Sequence, residues 1–154
     1  MNLRQMTKKD QLNLKRVYLD SIKSIDEGIY SNDHKSAWSS QAWDDPHFDK
    51  SLNQGKVWVI EDRNIRAFAS RYPDNRISLL YCEGKSQRRG YGTLLLLKLE
   101  DEARKDGILT LFTEASLISY KLFLKNNWEI IRKEKIIIKN KFFERYKMIK
   151  NLKI

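Results

Sequence analysis

The chain has 154 residues, 41% hydrophobic and 11% aromatic, interleaved with 32% charged residues, and carries a net charge of +10. This is the length and composition of one globular domain, with no apolar run near the roughly 20 residues that cross a bilayer, and so not of a disordered or membrane-spanning chain. The lone Cys82 excludes an internal disulfide, and with only His34 and His47 beside it no spacing matches a zinc site or any other structural metal.

The start, Met1-Asn2-Leu3-Arg4-Gln5, lacks the apolar core of a signal peptide, so the expected compartment is the cytoplasm. Thr7 with Asp10 three residues later forms a capping pattern, followed by Leu14, Val17, Tyr18, Ile22 and Ile25 at helical spacing and then Gly28. Between Tyr30 and Phe48 the chain is polar and aromatic, and Pro46 is expected to interrupt any helix begun near Asp33, leaving a short helix in a long connection. Three β-like runs follow, Lys56 to Glu61, Ile65 to Tyr72 and Ile77 to Glu83, and their short turns predict an antiparallel meander. Thr93 to Asp106 predicts a helix stopped at Gly107, and its run Leu94-Leu95-Leu96-Leu97 calls for burial on several sides. Leu109 to Glu114 reads as a strand, Ser119 to Asn126 as a helix, and Glu129 to Ile138 and Phe142 to Ile149 as two closing strands. The order is α/β with a mixed sheet.

The excess charge gathers near the C-terminus, where Arg132, Lys133, Lys135, Lys139, Lys141, Arg145, Lys147, Lys150 and Lys153 face only Glu134 and Glu144. A solvated lysine-rich face explains this, with anionic cofactors and polyanions as the alternatives. No nucleic-acid-binding motif accompanies the charge, so no specific nucleic acid is expected as a partner.

The informative segment runs from Leu80-Tyr81-Cys82-Glu83-Gly84 through Lys85-Ser86-Gln87-Arg88-Arg89 to Gly90-Tyr91-Gly92-Thr93, a strand entering a loop that opens a helix. Glycines there let successive backbone N–H groups approach a pyrophosphate, the helix dipole favours an anion, and Arg88 and Arg89 add charge. Neither a Walker loop nor the longer dinucleotide-binding glycine pattern is present.

Gln87 to Gly92 resembles the Gln/Arg-x-x-Gly-x-Gly/Ala motif of the Gcn5-related N-acetyltransferase superfamily, preceded by its Leu-Tyr-Val strand ending, with Cys82 in place of the valine. Ala115-Ser116, Leu122-Phe123 and Asn127-Trp128 extend the resemblance, which covers roughly residues 56 to 150. Ile29-Tyr30-Ser31, Ala37-Trp38, Thr113-Glu114-Ala115-Ser116 and the Met148-x-Lys150 ending are similar to the YafP-like group of that superfamily. Glu83-Gly84 departs from the usual His-Pro, Asn127 from a frequent glycine, and Phe123 from the tyrosine acid of many members.

The resemblance implies one acyl-CoA N-acyltransferase domain over residues 1–154, with a mostly antiparallel sheet of about six to seven strands and helices on both faces. The strands from Ile77 and Leu109 are then expected to splay apart. It implies acetyl-CoA as co-substrate, with no metal, and direct attack by the amine of a small-molecule or peptide acceptor, in a monomer or homodimer away from membranes. A binding module that holds acyl-CoA without turnover is the alternative.

The backbone at Cys82 and Glu83 would hold the pantetheine arm, the amides of Arg88 to Thr93 the pyrophosphate, and Gln87, Ser116 and Phe123 would complete the cofactor site. Cys82 reads as a core-facing small residue in preference to a nucleophile, since nothing nearby in sequence activates it. As general base, Glu114 is preferred to Glu83, which also reads as a solvated loop carboxylate. Tyr81 points opposite to Leu80 and Cys82, either toward the acetyl group or into packing. Ser116 also reads as a helix cap, Tyr120 as either a substitute proton donor or a packed aromatic, and Tyr30 and Trp38 as the acceptor wall or as core.

Overall fold

The structure is a computed structural model and describes residues 1–153. Seven strands form one sheet in the order β1-β2-β3-β4-β5-β7-β6. They are β1 (Asn2–Gln5), β2 (Lys56–Asp62), β3 (Asn64–Arg71), β4 (Arg76–Cys82), β5 (Thr110–Ser116), β6 (Glu129–Ile138) and β7 (Lys141–Asn151). Among the described residues only β4 and β5 run parallel, joined by the crossover helix α5 (Tyr91–Lys105), and every other neighbouring pair is antiparallel. The expected meander is β2-β3-β4.

Helices cover both faces. On one, α5 presses Leu95, Leu96, Leu99 and Ala103 onto the sheet beside Phe123 and Trp128. On the other, α1 (Gln11–Lys23) contributes Leu14, Val17, Tyr18 and Ile22, joined by Phe48 and Leu52 of α4 (Pro46–Asn53). The leucine run is buried on one side only: Leu95 and Leu96 are fully buried, while Leu94 and Leu97 are 39% and 46% exposed. At 3.6 residues per turn, four consecutive residues cannot share one face.

Pro46 begins a helix and does not merely end one. The connection holds α2 (Asn32–Ser39), α3 (Gln41–Asp44) and α4, and Pro46 occupies the first turn of α4 with the Asp45 carboxylate accepting from the His47 N–H at 3.0 Å. Proline suits that position because the N–H it lacks would have had no helical partner.

Asn127, at a frequent glycine position, adopts φ 69° after α6 (Tyr120–Lys125), a left-handed conformation that asparagine tolerates. Lys150 donates to the buried Glu100 carboxylate at 2.6 Å, and the Trp128 indole donates to the same group at 3.0 Å. Among the described residues, no helix is long and apolar enough to cross a membrane, and no group of three or more His, Cys, Asp or Glu side chains is placed to hold a metal.

β1 is a further strand, too short and polar to show alternation. It is anchored by Arg4, which donates to Asp10 at 2.8 Å and to Glu61 at 3.2 Å, while Asp10 also accepts from the Thr7 N–H at 2.7 Å. The Arg4 guanidinium, against the opposing effect of burial, holds the Asp10 carboxyl below its usual range. A depressed folded-state value adds stability above the unfolded value of about 3.9 and loses it as pH falls through the folded one. Asp10→Asn is therefore expected to unfold at lower urea than the parent near pH 7, with the gap narrowing as the pH drops below about 4. A gap that stays constant over that range would show that ionised Asp10 is not its source.

Candidate active site

β4 and β5 pair only at Arg76 with Phe112 and Ile77 with Thr113, where the Thr113 hydroxyl donates to the Ile77 carbonyl at 2.8 Å. Beyond that clasp β4 follows β3 and β5 follows β7, so their facing edges open into a cavity of about 630 Å³. Antiparallel ladders direct successive N–H groups to alternate sides. The Glu83 N–H is donated to the Arg66 carbonyl at 2.9 Å, so the Cys82 N–H, one residue earlier, faces the opening. The Gln87 side-chain amide donates to the Cys82 carbonyl at 2.8 Å, tying the loop to the strand end.

Glu83 differs from its expected place. Its N–H is taken by Arg66 and its carbonyl accepts from the Ser86 N–H at 3.0 Å, so its backbone is not available to the cavity. Its side chain is neither solvated nor a cavity acid: it is 1% exposed and accepts from Ser86 at 2.6 Å, Arg66 at 2.8 Å and Arg16 at 3.2 Å. Burial acts to raise its pKa, but the hydrogen bonds from Ser86, Arg66 and Arg16 outweigh it and hold the carboxyl below its usual range.

The loop ends at Gly90, whose φ of 79° places it in the left-handed region, as does Arg88 at 65°. The first helical bond of α5 runs from the Leu94 N–H to the Gly90 carbonyl, which leaves the N–H groups of Tyr91, Gly92 and Thr93 without a partner in the helix. A Cβ on Gly92 would lie 3.0 Å from the Leu122 side chain, so this glycine also lets α5 and α6 approach. Arg88 and Arg89 are exposed beside the loop, and Arg88 lines the cavity.

Glu114 lines the cavity at the point of splay, with Arg76 donating to it at 2.9 Å and the Lys147 ammonium forming an ion pair at 3.7 Å. Tyr81 also lines it, edge-on to Tyr18 at 4.7 Å, and burial pushes its phenol up to about 12, with the Trp38 side chain acting the other way. The Ser116 hydroxyl accepts from the N–H groups of Ile118 and Ser119, both at 3.2 Å, and so caps the turn into α6 at the cavity wall. Phe123 is 2% exposed with its ring edge-on to Trp128 at 4.9 Å, so only a sliver reaches the cavity. Tyr120 is not among the cavity residues: its ring packs against Tyr146 of β7 at 4.5 Å. One turn from Phe123 on a short helix was enough to send it to the opposite strand.

Tyr30 and Trp38 share the cavity's other wall, with rings 5.6 Å apart. Tyr18 and Phe48 belong to that wall and were missed, because a tyrosine on the apolar stripe of α1 and a phenylalanine after Pro46 carry the pattern of core residues.

Residues 19–127, which hold the parted parallel pair and the glycine-started helix beside it, match the family model described as Acetyltransferase (GNAT) family. The chain belongs to that family. It is an N-acetyltransferase by that membership, and solved structures agree in fold. The GCN5-related N-acetyltransferase from Rhodopseudomonas palustris, described as aminotransferase, class-II, is 25% identical with a TM-score of 0.90, over 98% of this chain and 95% of that one. PaiA N-acetyltransferase from Thermoplasma acidophilum, in complex with coenzyme A, is 19% identical with a TM-score of 0.73, covering 97% and 98%. YncA from Salmonella typhimurium, with its cofactor acetyl-CoA, is 16% identical with a TM-score of 0.69, covering 100% and 95%. No curated protein sequence matches the chain.

Cys82 of this acetyltransferase is half-buried, and burial, followed by the charge of Glu83, pushes its thiol up to about 11. Its alkylation by iodoacetamide is expected to stay slow near pH 8 in the folded protein and to rise only toward pH 11, whereas the urea-unfolded chain reacts with a midpoint near the ordinary value of about 8.5. Equal rates in the two states at pH 8 would contradict this.

Proposed function

We propose that this protein takes its acetyl group from acetyl-CoA and passes it to the amine of an acceptor by direct attack in a ternary complex, with residues 1–154 working as one catalytic domain. The observation that carries the reading is the junction of an open β4–β5 edge with the free N–H groups at the start of α5. An anion meets unpaired donors and a favourable dipole there, and an extended arm can lie along the parted strand as a further strand would. The pyrophosphate is assigned to the amides from Arg88 to Thr93, and the pantetheine arm to the Cys82 edge and the Ser116 wall. The relatives that hold coenzyme A and acetyl-CoA share the fold and support the choice of donor.

The Cys82 N–H serves as the pre-placed donor for the oxyanion of the tetrahedral intermediate. The amine gives up its proton to Glu114 through water, as the acid on the cavity wall nearest the splay. With its phenol at about 12, Tyr81 remains protonated and donates a hydrogen bond to the developing charge. It does not surrender that proton to a thiolate whose acid has a pKa of about 8.5, so solvent protonates the leaving group in place of the tyrosine that Phe123 replaces. The aromatic wall of Tyr18, Tyr30, Trp38 and Phe48 suits an acceptor amine with an apolar or flat part. The narrower YafP-like placement rests on the sequence around Tyr30, Trp38 and Glu114.

Calorimetry with acetyl-CoA tests the donor site. Gly90→Asp is expected to remove binding with the circular dichroism spectrum unchanged, because it adds bulk and negative charge against the phosphates. Unaltered affinity in that variant would sink the assignment. A screen of amines that follows thiol release from acetyl-CoA then tests turnover, and no release with any amine would favour the binding module. With an acceptor in hand, Tyr81→Phe is expected to lower the rate about tenfold, the loss of one hydrogen bond of about 1.4 kcal/mol, at unchanged acetyl-CoA affinity. Tyr120→Phe is expected to change neither quantity, and a fall in rate there would mean that Tyr120 reaches the cavity during turnover.

A further inference from the structure

The Glu83-Gly84 step stands where the superfamily pattern has His-Pro, and both residues are committed to contacts beneath the cofactor loop. Glu83 is a carboxylate 1% exposed whose two oxygens accept from three side chains on three different segments: Arg16 of α1, Arg66 of β3 and Ser86 of the loop itself. A buried carboxylate with one partner removed costs more than the pair is worth, so this arrangement holds as a unit. Both guanidinium groups are themselves fixed: Arg16 donates to the Ile65 carbonyl at 2.8 Å and Arg66 to the Asp62 carbonyl at 3.0 Å. The loop is thus fastened to the β2–β3 hairpin as well as to α1.

Gly84 completes the fastening. Its N–H donates to the Asp20 carboxylate of α1 at 2.7 Å, and a Cβ at this position would lie 2.0 Å from the Ser24 hydroxyl and 2.5 Å from its Cβ. Only glycine lets the loop lie flush on α1 here. Past Gln87, whose side-chain amide ties back to the Cys82 carbonyl, residues 88–90 are exposed, and they lead into the amides assigned to the pyrophosphate. A loop held at its base presents those amides already oriented, whereas a loose one must be ordered by the ligand, and the apparent affinity falls by the fraction of time it is competent.

We propose that Glu83 is a positioning residue for the cofactor loop, acting with Asp20 to hold residues 83–86 against α1 so that the pyrophosphate-facing amides are set before acetyl-CoA arrives. The inference rests on the donor site proposed above. Its role is separate from catalysis, since Glu83 does not reach the cavity.

The test compares Glu83→Gln and Asp20→Ala with the parent, measuring the affinity for coenzyme A and for pantetheine, which lacks the pyrophosphate, together with the melting temperature. If the loop becomes competent only about one part in ten of the time, the coenzyme A dissociation constant rises about tenfold in each variant while that for pantetheine stays put. Asp20→Ala leaves the buried cluster intact and keeps a helix former in α1, so it carries the test if Glu83→Gln does not fold. Unchanged coenzyme A affinity in Asp20→Ala, or an equal loss for both ligands, would overturn the proposal. Parent protein that binds no coenzyme A would instead remove the donor site on which it rests.

Discussion

The parted pair β4–β5 is the constraint on which the rest of the molecule depends. Two parallel strands need a crossover, here α5, and that crossover places a helix N-terminus at the carboxyl ends of the strands. The pairing then fails after two residues, so backbone groups that would have bonded across the sheet are left facing a cavity. Each strand is held on its other side, β4 by β3 and β5 by β7, so the opening is kept by rigid walls. Glycines at 90 and 92 then set how the loop turns and how closely α5 approaches α6, and Ser116 caps the turn on the opposite wall.

Helix α1 braces both halves of this cavity. Arg16 and Asp20 reach the cofactor loop, while Tyr18 packs against Tyr81 and Phe48 and donates to the Trp38 carbonyl at 2.7 Å. The aromatic wall and the loop are therefore set by opposite sides of one helix. The buried charges are answered locally: Glu83 by two arginines, Glu100 by Lys150 and Trp128, and Arg71 by Asp106. Unpaired, each would strongly destabilise the fold. The positive charge on β6 stays at the surface, partly matched by Glu134 and Glu144, while on β7 Lys150 turns inward to Glu100 and Lys147 to Glu114.

Much of this architecture was legible in the chain because its signals are local. The β2-β3-β4 meander, α5 and its stop, and the two closing strands follow from hydrophobic period and turn residues, and the segment from Gln87 to Gly92 carried the likeness to N-acetyltransferases. The misreadings share a cause. Asn2-Leu3-Arg4-Gln5, with one apolar residue among four, shows no alternation, yet it pairs with β2 because β2 offers an open edge. Pro46 was read for what it ends, and only the position of the Asp45 cap decides that it begins α4.

The sequence by itself determined the order of elements from β2 onward and the glycine loop that opens α5, because propensity, period and glycine freedom act over a few residues. Which side chains meet was decided by tertiary structure alone. Tyr120 and Phe123 sit one turn apart, but one packs on Tyr146 of β7 and the other on Trp128 just before β6. Glu83 is read as a loop carboxylate until Arg16 and Arg66, 67 and 17 residues away, close over it. Contacts at such separations leave no period or motif in the chain, since they exist only once the sheet has brought the partners together.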